Sequence, residues 1–250
     1  MEEITIGYLS WKRYNIFEQT LNSHKNNGLF DLIHPENRII FFQEISDIDI
    51  KIAKKYYCNF IGSNTNIGIL SAFIQLIEKC KTEYFIFCEN DWFLIENKDI
   101  VEKLLSDCID LIKSNNIDII KLRHRKFPGN PLHCKNIWNN NDCENFPYKL
   151  EILHWLENPN NIYNNKLHEY TYNYKWYATD LNNQKWSNNV FMAKTSYLKK
   201  IILPLIKNDN TEKNPYLSLE STIINNNDEN LLKYTKIAGG YGLFTHKDYI

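Results

Sequence analysis

The chain has 250 residues, a formal net charge of −1, 43% hydrophobic and 24% charged residues. That length suits one large domain or two small ones with a substantial core, and the balanced charge excludes bulk attraction to nucleic acid or an acidic membrane. No secretory apolar region opens the sequence, no apolar run is long enough to span a bilayer, and the six cysteines form no C-x-x-C pair, which together predict a reduced, cytoplasmic setting.

Ile4 to Leu9 reads as a first buried strand, with Ser10-Trp11-Lys12-Arg13 at its C-terminal end. A helix follows from about Asn15 to Asn26; Ile16, Thr20 and Leu21 supply its apolar side and Gly28 its stop. Arg38 to Phe42 is a second strand ending in Gln43-Glu44, Asp49 to Lys55 a short helix, and Tyr57 to Ile61 a third strand. The polar segment Asn64-Thr65-Asn66-Ile67-Gly68 opens a helix running to about Lys79, with Ile69, Leu70, Phe73, Ile74 and Ile77 as its buried stripe. Tyr84 to Cys88 is then continuously apolar and aromatic, as a strand buried on both faces should be. This β-α-β-α-β-α-β order predicts a parallel sheet with right-handed crossovers.

Asp99 to Lys113 reads as a helix, and Ile117 to Leu122 as a strand ending in the basic run Arg123-His124-Arg125-Lys126. Phe127 to Pro147, rich in Asn and Pro, is a long loop. Glu151 to Leu156, Glu169 to Tyr177 and Asn189 to Ala193 read as strands. Thr195 can cap a helix from Ser196 to Ile206, which Pro204 must shorten or kink. A further helix begins near Ser218, and Lys233 to Ala238 is a late strand leading into Gly239-Gly240-Tyr241-Gly242-Leu243-Phe244-Thr245-His246. Asn139–Asn141 and Asn225–Asn227 fit nucleotide bias in an AT-rich microbial or viral genome. Cys58, Cys80, Cys88 and Cys108 lie in apolar patterns as buried thiols. His133-Cys134 with Cys143 has half the ligands of a zinc site and no matching second half.

The chemistry concentrates after the fourth strand, at Glu89-Asn90-Asp91. Ligands of open α/β sheets bind at the carboxyl ends of the strands. Two carboxylates there repel each other and resist burial unless something positive joins them; a divalent cation completed by a diphosphate would serve. The alternative is a solvated turn.

This ordering resembles a GT-A glycosyltransferase of the large family-2-like group, most strongly from Ile4 to Leu94. The resemblance implies one Rossmann-like α/β domain, 1–250, with a mostly parallel central sheet flanked by helices. Residues 1–95 would form the nucleotide-sugar-binding half, and 96–250 an acceptor-binding half with a C-terminal metal-site tail. It places Ser10, Trp11 and Arg13 against the nucleotide, Glu44 at the base or ribose, and Asn66 and Gly68 at the helix start before the metal strand. Glu89-Asn90-Asp91 stands where the family has its DxD motif, with Glu in the first position, so Asp91 is the implied metal ligand and Glu89 and Asn90 are neighbours of the donor.

Glu220, in Tyr216-Leu217-Ser218-Leu219-Glu220-Ser221, matches the general base of inverting members; the alternative is an acid favouring a helix dipole. His246 resembles the C-terminal histidine that completes the metal site, and a mixed O/N shell suits Mn²⁺, with Mg²⁺ as substitute. The alternative is a surface histidine. Trp11, Tyr177 and Trp186 could stack on sugar or base, although for any single large aromatic core packing is the commoner role. Arg123, Arg125 and Lys126 could meet a diphosphate or form a solvated basic face.

The implied activity is metal-dependent transfer from a nucleotide sugar, UDP-sugars favoured, to a glycan, protein or small-molecule hydroxyl, with inversion and with neither nucleic acid nor a membrane span involved. A catalytically inactive glycan- or nucleotide-binding module and a nucleotidyltransferase are the competing readings. The second lacks its usual Gly-rich phosphate loop, since Gly7 stands alone.

Overall fold

The computed structural model describes residues 1–129, 167–181, 183–184, 186–208, 219–224 and 234–247. Those residues form a ten-stranded sheet between two helical layers. Four strands come from the first third of the chain: β1 (Ile4–Trp11), β2 (Arg38–Gln43), β3 (Asn59–Gly62) and β4 (Tyr84–Glu89). They pair in parallel in the order β3-β2-β1-β4, as the alternating pattern predicts. Beyond β4 the sheet continues through β9 (Phe191–Lys194), β6 (Ile119–Arg123), β10 (Lys236–His246), β8 (Lys175–Asp180) and β7 (His168–Thr171). β10 runs parallel to β6, whereas β9 and β8 are antiparallel to their neighbours. Among the described residues the short β5 (Trp92–Leu94) joins the sheet only through β10.

Strand alternation splits the core between the two faces. Tyr84, Ile86 and Cys88 of β4 pack into one cluster with α1 (Tyr14–Asn26), α2 (Leu29–Leu32), α3 (Asp47–Lys55) and α5 (Lys98–Asn115). Phe85 and Phe87 face the other cluster, with α4 (Gly68–Lys79), a helix over 195–208 (α6) and α7 (Leu219–Ile224). Cys58, Cys80, Cys88 and Cys108 are buried free thiols, as their apolar settings predict. His133, Cys134, Cys143, the strand expected over Glu151 to Leu156 and most of the Phe127–Pro147 loop lie outside the described residues.

Several boundaries differ from expectation. Glu169 to Tyr177 is not one strand but two, β7 and β8, hydrogen-bonded as a hairpin. Its turn is held by buried Asp107 of α5, whose carboxylate accepts from the backbone N–H groups of Asn173 and Tyr174, from Asn173 Nδ2 and from Trp176 Nε1. Thr195 does not cap α6 but lies within it, its hydroxyl 3.4 Å from Cys80 Sγ. A π-turn at Leu198–Ile202 immediately precedes Pro204, so the helix widens where the proline ring would clash and then continues to Asn208.

The late strand does not stop at Ala238 but runs to His246. Its register shifts between Gly239 and Phe244, and Gly242 sits there at φ +77° with the carbonyl of Arg123 filling the space of any Cβ. A side chain at that point would force the strand off β6.

The Asp107→Ala variant should lose roughly 3 kcal/mol, because it leaves buried donors unpaired. In thermal denaturation that is a drop of roughly 6–12 °C; an unchanged melting temperature would show that the hairpin turn holds itself.

Candidate active site

Tyr84 to Cys88 delivers Glu89, Asn90 and Asp91 to the C-terminal edge of the parallel sheet. The chain does not enter a solvated turn there. It turns directly into β5, which pairs antiparallel with the end of β10 in the register Trp92↔His246. The Lys247 N–H donates to the Asp91 carbonyl, and the His246 N–H donates to the Pro128 carbonyl. The imidazole packs on the Trp92 ring, centroids 4.7 Å apart, with the Arg123 guanidinium also against that indole. The imidazole Nε2 thus comes to 3.4 Å from Asp91 Oδ1.

Helix α1 grips the same segment from below. Thr20, Ser23, His24 and Asn27 recur at helical spacing and each bonds the backbone between Asn90 and Leu94. Thr20 Oγ1 donates to the Asn90 carbonyl, Asn27 Nδ2 donates to the Leu94 carbonyl, and Ser23 Oγ accepts from the Leu94 N–H. The Trp92 carbonyl can only accept, so His24 carries its proton on Nε2 and takes the Tyr8 hydroxyl proton at Nδ1. Burial lowers the His24 pKa to about 4, keeping the ring neutral in that tautomer.

Around the carboxylates, Arg13 at the start of α1 donates from Nη1 to Asp91 Oδ2 at 2.7 Å. Asp91 Oδ1 is buried and, although it lies 3.4 Å from His246 Nε2, has no hydrogen-bond partner among the described residues. Protein surrounds the Glu89 carboxyl although the residue keeps some exposed surface. That burial, reinforced by Asp91 and Glu220 and opposed by His246 and Arg13, pushes Glu89 up to about 8. Among the described residues, burial and the neighbouring acids thus outweigh His246 and Arg13 at Glu89. Among the described residues no three His, Cys, Asp or Glu side chains converge as a ready-made metal cluster.

Glu220, on the first turn of α7, accepts the backbone N–H of Asn188 on Oε1 at 2.5 Å. Beside the acids lies an open cleft of about 540 Å³ lined by Trp11, Lys12, Arg13, Tyr14, Asn15 and Ile16.

The sequence matches no protein-family model and no curated protein. Solved structures do share its architecture. Residues 1–349 of TarS from S. aureus match with a TM-score of 0.53 at 14% identity, over 99% of this chain and 60% of that one. The same fragment in complex with UDP-GlcNAc gives 0.54 at 13% identity, over 100% and 59%. Glucosyl-3-phosphoglycerate synthase from Mycobacterium tuberculosis, in complex with Mn²⁺, UDP-glucose and phosphoglyceric acid, gives 0.53 at 12% identity, over 100% and 73%. The fold is GT-A. The chain spans about three-fifths of the TarS fragment.

On this GT-A frame Arg13, Glu89, Asp91, His246 and Glu220 come together at one sheet edge. Ser10 is buried at the end of β1 and Trp11 is half exposed in the cleft. Glu44 sits at φ +52° in an ion pair with Lys12, across the mouth of the same strands. Asn90 contributes its carbonyl to Thr20. Asn66 and Gly68 form their own turn, Asn66 Oδ1 accepting the Gly68 N–H, and are tied to Gln43 rather than to the carboxylates.

Gln43 was not singled out by sequence. Its amide accepts from the Ile67 N–H and donates to the Gly68 carbonyl, so it sets the start of α4. His124, also missed, bonds Glu96 and accepts the N–H groups of Lys126 and Phe127. Trp186 and Tyr177 take the core role, the commoner of their two readings, whereas the two readings of Arg123 need correction. Trp186 and Tyr177 are core, 1% exposed each, packed respectively against Phe191 and under Arg125. Arg123 is buried, its Nε donating to the Pro128 carbonyl, so it shapes the site wall instead of meeting solvent or a diphosphate.

The pKa of His24 is depressed from about 6.5 to about 4 on folding. Between those values the unfolded chain binds the extra proton, so this contribution is complete above pH 6.5 and is lost as the pH falls toward 4. Urea unfolding should show about 2 kcal/mol lost between pH 7 and pH 5 on this account. The slope should flatten in His24→Gln; equal slopes for both proteins would contradict it.

Proposed function

We propose that this chain is a glycosyltransferase moving a sugar from a nucleoside-diphosphate donor, UDP-sugars favoured, to a hydroxyl of a glycan, protein or small molecule. The observation that carries the reading is Asp91 Oδ1: a buried carboxylate oxygen with no hydrogen-bond partner among the described residues, facing an imidazole nitrogen at the carboxyl edge of a parallel sheet. An orphaned acceptor of that kind is costly unless something positive completes it. One oxygen and one nitrogen donor suit Mn²⁺, with Mg²⁺ as substitute, and the donor's phosphates would supply the remaining ligands. The GT-A neighbours support this donor class, since the TarS fragment is seen with UDP-GlcNAc and the mycobacterial synthase with Mn²⁺ and UDP-glucose.

In this scheme Asp91 and His246 hold the cation, which when bound supplies Lewis-acid neutralisation of the departing diphosphate. Trp11 lines the nucleotide's approach, with Ser10 buried behind it at the end of β1, and Arg13 brings a second positive charge to the phosphates. Glu44 reaches the ribose or base side once Lys12 gives way. Glu220 is the general base: the Asn188 N–H fixes Oε1, and Oε2 takes the proton of the acceptor hydroxyl as it attacks the anomeric carbon. A base of this kind is worth roughly 10²–10⁴-fold in rate. One displacement with one base inverts the anomeric centre. Residues 1–95 form the donor half and 96–250 the acceptor half of one GT-A domain. Among the described residues no helix is long and apolar enough to cross a membrane.

Calorimetry of UDP with and without Mn²⁺ tests the cation site. Asp91→Ala should abolish the Mn²⁺-dependent part of binding, and unchanged Mn²⁺-dependent affinity would reject the assignment. Release of nucleoside diphosphate from a panel of nucleotide sugars tests turnover. Glu220→Gln should bind donor near-normally while turnover falls roughly 10²–10⁴-fold; activity within a few-fold of the parent would exclude Glu220 as base. A non-enzymatic binding module would be stabilised by UDP and Mn²⁺ yet release no product.

A further inference from the structure

Lys121 lies in the middle of the sheet, on β6, and is 1% exposed. Its ammonium lies beside the edge-packed rings of Trp186 and Phe191, 5.6 and 5.5 Å from their centroids. It donates to the Ser187 carbonyl at 2.6 Å and reaches the Ser187 hydroxyl at 3.0 Å. A buried lysine is expensive, and its desolvation must be offset by strong partners. The partner chosen here is informative. The Ser187 carbonyl and the Asn188 N–H belong to one peptide unit, and that N–H is the group that holds Glu220 Oε1 at 2.5 Å.

In a planar trans peptide the C=O and N–H point in opposite directions. The ammonium therefore stands at the oxygen end of this unit and the Glu220 carboxylate at its hydrogen end. The ammonium polarises the unit in the sense that strengthens the N–H as a donor, as chained hydrogen bonds do. The surrounding segment is tied down as well. Trp186 Nε1 reaches Asn188 Oδ1, Arg123 Nη1 reaches Asn189 Oδ1, and the Leu122 N–H donates to the Val190 carbonyl. Glu220 sits on α7, and the 186–190 segment supplies the N–H that its Oε1 accepts.

From this we infer that Lys121 is a positioning residue for Glu220, acting through the Ser187–Asn188 peptide without touching the substrate. The inference rests on the reading of Glu220 as the general base. It adds that the base is aimed from across the sheet by a buried cation, which the sequence reading did not single out.

Two measurements on Lys121→Met test it. The first is amide hydrogen exchange at Asn188 in the folded protein. Exchange should quicken by roughly tenfold or more while amides of β1 and β4 keep their rates; an unchanged Asn188 rate overturns the inference. The second is Mn²⁺-dependent release of UDP from UDP-GlcNAc and UDP-glucose. Here kcat should fall roughly ten- to hundredfold with KM unchanged, and adding Glu220→Gln should lower turnover no further than Glu220→Gln alone.

Independent, multiplicative losses would show a merely structural lysine and overturn the inference. If Glu220→Gln keeps parental turnover, the base assignment fails, and hydrogen exchange still decides whether Lys121 holds the peptide. Should Lys121→Met not fold, Ser187→Ala removes the lysine's contact with the Ser187 hydroxyl and should quicken Asn188 exchange in the same direction, by a smaller factor; no change there would count against the clamp.

Discussion

The site depends on a three-residue strand pairing. β5 is short and, among the described residues, belongs to the sheet only through the end of β10, yet this pairing carries Trp92 opposite His246 and fixes Asp91 beside the imidazole. The two residues lie far apart in sequence and belong to different halves of the chain. What lets β10 serve both β6 and β5 is the irregularity around Gly242, where the Arg123 carbonyl occupies the place of a side chain. Gly129 makes a similar close approach to the His246 backbone, again at positive φ. A strand of ordinary residues would have stayed with one partner, and the imidazole would not have reached the acids.

Around that pairing the electrostatics are unbalanced in an informative way. Burial, with Asp91 and Glu220 close by, raises the cost of ionising Glu89, and His246 and Arg13 oppose it. The Glu89 carboxyl rises to about 8 in consequence. Folding alone does not favour such a cluster. The polar stripe of α1, with Thr20, Ser23, His24 and Asn27 all committed to the Asn90–Leu94 backbone, shows how much of the helix goes into holding it rigid. A rigid set of acids is an arrangement suited to receiving a cation and a diphosphate together.

Much of this was legible in the residues. The continuous apolar run of β4 announced a strand buried on both faces, and the helical stripes of α4 and α5 announced the two layers that cover it. Glu220, Asp91 and His246 were singled out through the resemblance to GT-A chains, and the structure brings them to one sheet edge. The supporting contacts were less visible, for a physical reason: they run through backbone groups. His24, Gln43 and Lys121 bind carbonyls and N–H groups of distant segments, which leave no pattern in side-chain spacing. The hairpin at Asn173 was hidden in the same way, since the aromatic run from Tyr170 to Tyr177 reads as one strand until Asp107 of another element is seen to hold its turn. Trp186 and Tyr177 kept two readings open, because a large aromatic near a site has the same signature whether it stacks on a ligand or fills the core.

The central claim is that the end of the chain's last strand and the end of β4 jointly hold a cation. Anomalous diffraction from a crystal grown with UDP and Mn²⁺ addresses it directly. The account predicts a manganese peak bound by Asp91 Oδ1 and His246 Nε2, with the diphosphate completing its shell and the Arg13 guanidinium turned to the phosphates. A crystal with UDP in the cleft, no metal between those two side chains and Asp91 still paired only with Arg13 would contradict it.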